Sequence, residues 1–184
     1  MEEKKTGWLK EAFTWVLTIV FAIVAAKLIN HFVIIKAEVP TGSMENTIQV
    51  DDHILGFRLA YLFSAPERGD VVIFPYPDDP SVIYVKRIIG LPNETVEIKN
   101  GTVYIDGVAL EEDYLKEEMR GSYGPYIVPE GGYFMLGDNR NSSADSRRWT
   151  NTFLKKEDII AKVLFRYSPD FYWFPDTEYK EVIN

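Results

Sequence analysis

Between Ala12 and Ala26 the chain carries no charged residue, and its only polar side chains are Thr14 and Thr18. The apolar character resumes beyond Lys27 with Leu28 and Ile29, and again over residues 32–35. A helix that crosses a bilayer needs roughly 20 mainly apolar residues. Residues 12–30 meet that length if the Lys27 ammonium snorkels to the interface. Two other readings share the same composition. Val24-Ala25-Ala26 is similar to the small-residue site of a cleaved signal peptide, although the apolar run is long for one and continues past that site. A buried core helix is the other. Lys4, Lys5 and Lys10 precede the span, Lys36 follows it, and Trp8 and Trp15 suit an interface. That charge bias favours a cytoplasmic N-terminus and an exported C-terminal body. The division expected is 1–11 cytoplasmic, 12–30 transmembrane and 31–184 an extracytoplasmic domain on the outer face of the cytoplasmic membrane.

The body after the span is acidic. The whole chain of 184 residues holds 20 Lys and Arg against 28 Asp and Glu, of which only five and three lie in the first 36 residues. A body with 15 basic and 25 acidic side chains is a poor partner for nucleic acid, because phosphate contacts need clustered Lys and Arg. There is no cysteine, which excludes disulfides and thiolate zinc sites, and the two histidines make an all-protein zinc site improbable. No metal or cofactor is expected.

Short β-rich runs dominate the body. Residues 71–74 form an apolar run after Arg68-Gly69-Asp70, and residues 82–89 form a longer one rich in β-branched side chains. Residues 95–105 predict a hairpin about Asn100-Gly101, since both central positions of such a turn need positive φ. Asp106-Gly107 suggests a second tight turn. Residues 133–136 and 159–167 predict later strands, 155–158 a short helix, and 111–124 a polar surface excursion. The fold class expected is mostly β, an antiparallel sheet domain preceded by one transmembrane helix.

Three segments carry chemistry. Alternation along a strand puts Val82, Tyr84, Lys86 and Ile88 on one face. If that face is buried, desolvation lowers the Lys86 pKa and leaves a neutral amine that can act as a base; otherwise Lys86 is a strand lysine snorkelling to water. Ser43 follows Pro40-Thr41-Gly42 in a tight, non-helical lead-in. A serine needs a base to become nucleophilic, and the Ser43 N–H with the Thr41 hydroxyl could hold an oxyanion. The competing reading is a loop serine that caps a turn. Asp51-Asp52-His53 is similar to half of a triad but reads better as a solvated turn. The third segment, residues 137–149, is dense in hydrogen-bonding groups. It is either a polar loop held by its own side chains or one that delivers a hydroxyl to the Lys86 amine, braced by an Asp145–Arg147 pair.

The block of residues 40–48, the block Arg68-Gly69-Asp70-Val71-Val72 with Tyr84-Val85-Lys86-Arg87-Ile88-Ile89-Gly90-Leu91-Pro92, and residues 137–147, in this order after one N-terminal span, resemble the type I signal peptidases, bacterial Ser–Lys leader peptidases. The resemblance implies that Ser43 is the nucleophile and Lys86 the general base. It implies an oxyanion hole from Thr41 and Ser43, Ser143 orienting Lys86, Asp145 and Arg147 bracing the loop, and Val39, Tyr84 and Val85 lining the substrate cleft. It also implies that the partners are exported preproteins, cut after a small residue, and the lipid bilayer. Asn46, Asn93, Asn141-Ser142 and Arg148 depart from the usual family residues without removing a proposed catalytic group. The aromatic residues 171–174 and residues 59–63 are candidates for touching the interface, where Trp and Tyr are favoured.

Overall fold

The computed structural model describes residues 2–175 and Tyr179. Residues 176–178 and 180–184, and the side chains of Lys4 and Lys5 that enter the charge-bias argument, lie outside the described residues.

Helix α1 (Glu2–Leu28) is longer than the apolar run that predicts it. Glu2, Glu3, Lys4 and Lys5 are themselves good helix formers, so nothing stops the helix at the polar boundary. The stretch Lys10–Val33 has mean hydropathy 2.2 and none of it is buried against the protein. A helix apolar on all sides that packs against nothing is consistent with a membrane anchor, and the core-helix reading falls. The helix runs through Val24-Ala25-Ala26 unbroken, adds a π-helical turn at Ile29–Val33, and passes directly into strand β1 (Ile34–Glu38).

The body is antiparallel throughout. The larger sheet runs β1, β2 (His53–Phe57), β11 (Ala161–Ser168), β3 (Val71–Tyr76), β4 (Asp79–Gly90), β9 (Gly132–Leu136), β10 (Phe153–Lys155), with β12 (Tyr172–Trp173) on β11. The smaller sheet orders β7 (Val108–Ala109), β6 (Thr102–Ile105), β5 (Thr95–Lys99) and β8 (Tyr123–Ile127). Both predicted tight turns form: Asn100 and Gly101 have φ of 49° and 88°, and Asp106 and Gly107 have 50° and 87°. The short helix is a 3-10 turn at Lys156–Asp158.

Strand β9, the first four residues of β3 and the inner end of β4 from Lys86 to Gly90 are buried on both faces, which is why they read as apolar runs. Val71 and Ile73 face one cluster with Val39, Met44, Ile48 and Ile54. Val72 and Phe74 face another with Ile88, Tyr133, Met135 and Trp149. Ile89, Phe134 and Leu136 join a third with the small sheet's Val96, Ile98 and Val103. Strand β4 thus runs from an exposed outer end at Val82 and Ile83 into a dry centre at Lys86 and Arg87.

Candidate active site

Ser43 sits in a 3-10 turn, Gly42–Met44, entered from Thr41 in an extended conformation (φ −133°, ψ 150°). Met44 and Ile48 are fully buried in the cluster beneath it, and the Ile48 N–H donates to Met44 O at 2.8 Å. These two apolar side chains fix the turn. Ser43 is 8% exposed, while Thr41 is exposed.

Strand β4 delivers Lys86. Its register opposite Val72, with Tyr84 opposite Phe74, places the lysine on the aromatic face of the sheet. Lys86 is 3% exposed. Its Nζ lies 2.5 Å from Ser43 Oγ and 2.9 Å from Val85 O. The Tyr84 ring centroid is 4.9 Å from the same atom, and that ring stacks on Tyr76. Burial pulls the Lys86 amine down to about 8, against the upward pull of the Asp145 and Asp138 carboxylates. The snorkelling alternative therefore fails: the amine points into a dry pocket and meets the serine hydroxyl.

The loop after β9 closes over this pair. Gly137 leaves no room for a side chain, because a Cβ there would collide with Ser143 Oγ and come within 2.5 Å of Ser43 O. Asn139 ties the loop to the Ser43 turn: its N–H donates to Ser43 O (3.0 Å) and its Nδ2 to Gly42 O (2.9 Å). Asp145 and Arg147 form the expected pair, with Nε to Oδ1 and Nη2 to Oδ2 both 2.8 Å. Asp145 also accepts from the Gly137 N–H at 3.1 Å, so the brace acts directly on the loop's first residue. Ser143 is buried at 1% exposure, packed against Gly137, and its Oγ has no hydrogen-bond partner among the described residues. Val39 is buried, and Val85 packs against the same apolar cluster.

Sequence reasoning missed a second buried pair. Arg87, on the opposite face from Lys86, grips Asp138 through Nε (2.9 Å) and Nη2 (2.6 Å), and donates to Gly69 O at 2.9 Å. Thr47, four residues after Ser43, also reaches the Asp138 carboxylate. Arg140, with no exposed surface, meets Glu112 across the strap-like residues after β7. Arg87 inside the apolar run 82–89 was the available signal, since a buried guanidinium needs a carboxylate; Arg140, between Asn139 and Asn141, gave none.

The Asp51-Asp52-His53 segment is not a solvated turn throughout. Asp52 is 2% exposed and pairs with Arg166 at 3.0 Å, while His53 opens β2 with its ring 5.7 Å from that of Tyr167. Asp52 is thus committed to Arg166 rather than to a histidine.

A neutral amine within hydrogen-bond reach of a serine hydroxyl, in a pocket that excludes water, can take the hydroxyl proton and return it to a leaving group. The chain has relatives among known proteins. Residues 12–168 match the family described as signal peptidase, peptidase S26. A probable signal peptidase I-1 of Synechocystis sp. is 37% identical over 159 residues, covering 83% of this chain and 80% of that protein. The signal peptidase I of Bacillus licheniformis is 38% identical over 165 residues, covering 84% and 88%. A crystal structure of a signal peptidase I from Enterococcus faecalis V583 aligns with a TM-score of 0.48 at 38% identity, over 54% of this chain and 97% of that one.

Proposed function

This chain belongs to the peptidase S26 family of signal peptidases, and on that premise we propose that it is a membrane-bound endopeptidase that removes signal peptides from exported preproteins with a Ser43 nucleophile and a Lys86 general base. The observation that carries the reading is the 2.5 Å approach of Lys86 Nζ to Ser43 Oγ.

In this mechanism the neutral Lys86 amine takes the Ser43 hydroxyl proton as Oγ attacks the scissile carbonyl carbon. The oxyanion that develops is held by the Ser43 N–H and the Thr41 hydroxyl. Collapse of the tetrahedral species breaks the C–N bond, and the Lys86 ammonium protonates the leaving amine of the mature protein. The acyl-enzyme on Ser43 is then hydrolysed by a water that Lys86 deprotonates, and the same proton returns to Oγ. The Asp145–Arg147 pair holds the loop that carries Ser143, whose Oγ makes no hydrogen bond to the Lys86 amine in this geometry; Val85 O is the group that meets the amine beside Ser43. Val39, Tyr84 and Val85 line the cleft in which small side chains before the cut are accommodated.

The helix is the anchor, with residues 1–11 cytoplasmic and the β domain on the outer face. A substrate held by its own signal peptide in the same bilayer meets the enzyme at a raised effective concentration. The test is cleavage of a preprotein by the purified protein in lipid or detergent, with N-terminal sequencing of the product. The expected cut follows a small residue; a preprotein left intact, or cut without regard to that residue, refutes the reading.

A further inference from the structure

Residues 111–120 join β7 to β8 without helix or strand. Glu111, Asp113, Glu117, Glu118 and Arg120 are exposed, as a polar surface excursion would be, but Glu112 and Tyr114 turn inward. The segment reaches the nucleophile turn through Asn46, whose Nδ2 donates to Tyr114 O at 2.8 Å, and through the Lys116–Glu45 ion pair. Asn46 makes this bond from a left-handed backbone (φ 87°), which asparagine tolerates better than most residues. The segment reaches the loop after β9 through Glu112, whose carboxylate accepts from both Arg140 Nη atoms at 2.5 and 2.8 Å. It reaches β4 through the Tyr114 ring, whose centroid lies 3.9 Å from the Arg87 guanidinium carbon.

We propose that residues 111–120 are a strap that positions the Ser43–Lys86 pair, with Glu112 acting through Arg140 and Tyr114 acting through Arg87. The inference rests on the Ser–Lys reading above. The path from Glu112 to the dyad is continuous. Arg140 Nε donates to Gly137 O, and Arg140 O accepts from Arg147 Nη2 at 2.6 Å. Arg147 pairs with Asp145, which holds the Gly137 N–H. Gly137 lies against both Ser143 Oγ and Ser43 O. Arg140 has no exposed surface and the Glu112 side chain is only 4% exposed. Lifting the strap would leave a bare guanidinium in the interior, so the strap stays down and the loop it grips stays in place. Glu112 and Tyr114 touch neither the dyad nor the cleft. They are positioning residues.

The test uses the full chain in detergent or lipid, with a peptide substrate carrying small residues before the cut. Glu112→Gln is expected to lower kcat by about tenfold or more with KM within about twofold, because misplacement of reacting groups weakens the chemical step rather than binding. It also shifts the acidic limb of the kcat–pH profile to lower pH. The charges facing Lys86 are Asp145 and Asp138, with Arg147 and Arg87 paired to them and Arg140 beyond. Removing Glu112 leaves the Arg140 cation uncompensated. Glu112→Asp recovers part of the rate. If Glu112→Gln does not fold, the double variant Glu112→Met with Arg140→Met removes both charges, and its kcat is still expected to be low. Hydrogen exchange at the Asn139 amide reads the strap without turnover, and it should quicken in either variant. Wild-type kcat, pH profile and Asn139 exchange in a folded Glu112→Gln protein, or in the folded double variant, would overturn the strap. A wild-type protein that cuts nothing would instead count against the Ser–Lys reading, and Asn139 exchange would still decide the strap.

Discussion

Lys86 Nζ and Ser43 Oγ stand 2.5 Å apart, brought together from positions 43 residues distant in the chain. Strand β4 supplies one partner and the turn ahead of β2 the other. The strand register that buries Lys86 also sets the charge state in which it can act.

Activity is expected to rise with pH. A general base must be unprotonated, and the Lys86 amine loses its proton at about 8. The acidic limb of kcat/KM should therefore have an apparent pKa near that value, leaving roughly a tenth of the enzyme active at pH 7. A profile measured on a peptide substrate checks this. A limb near ~6.5 would point to a histidine instead.

Stability should move in the opposite direction from activity when Lys86 is replaced. Its folded pKa, about 8, lies below its ordinary 10.5. Between those values the unfolded chain binds more protons than the folded one, so this residue's contribution to stability improves as pH rises. Below about 8 its cost is fully present, and above 10.5 it is gone. Lys86→Met is expected to stabilise the fold by about 1–3 kcal/mol at pH 7 and to gain little above pH 10.5. Chemical denaturation at both pH values checks this.

Asp138→Asn should be among the most damaging single changes away from the reacting atoms. Arg87 is 4% exposed and Asp138 fully buried. Removing the carboxylate strands a guanidinium in the interior, a loss of about 3–5 kcal/mol. The thermal unfolding midpoint measures it.

Gly137→Ala tests the closeness of the loop to the dyad. The added methyl must displace Ser143 Oγ and Ser43 O, both of which flank the reacting atoms. Loss of activity with only a modest change in unfolding temperature is the expected result, read by parallel assays of turnover and melting.

The sequence made parts of this legible because local physics decided them. Asn100-Gly101 and Asp106-Gly107 formed turns because their backbone demands are local. The apolar runs of β3, β9 and the inner end of β4 were visible because both faces are buried there. Strands β1, β2, β7, β8, β10 and β12 were not assigned. Strand β1 hid in the tail of the apolar span, and β8 contains Gly124-Pro125, a pair that argues against a strand and is tolerated here because β8 lies on a sheet edge. At the site, Ser43 and Lys86 were found from their neighbours and the family resemblance. Arg87, Asp138, Asn139 and Glu112 were not, because their partners lie far off in the chain and no periodicity links them. Residues 111–124 lie largely at the surface as expected, but the inward turn of Glu112 was not legible: it reads as a surface charge until Arg140 is beside it.

The most direct test compares two substitutions in one cleavage assay, Lys86→Met and His53→Ala, each in full-length protein with the fold verified by its melting curve. Lys86→Met is expected to abolish cleavage, as Ser43→Ala does, while His53→Ala retains a rate close to wild type. Retention of cleavage in folded Lys86→Met with its loss in His53→Ala would contradict the Ser–Lys mechanism.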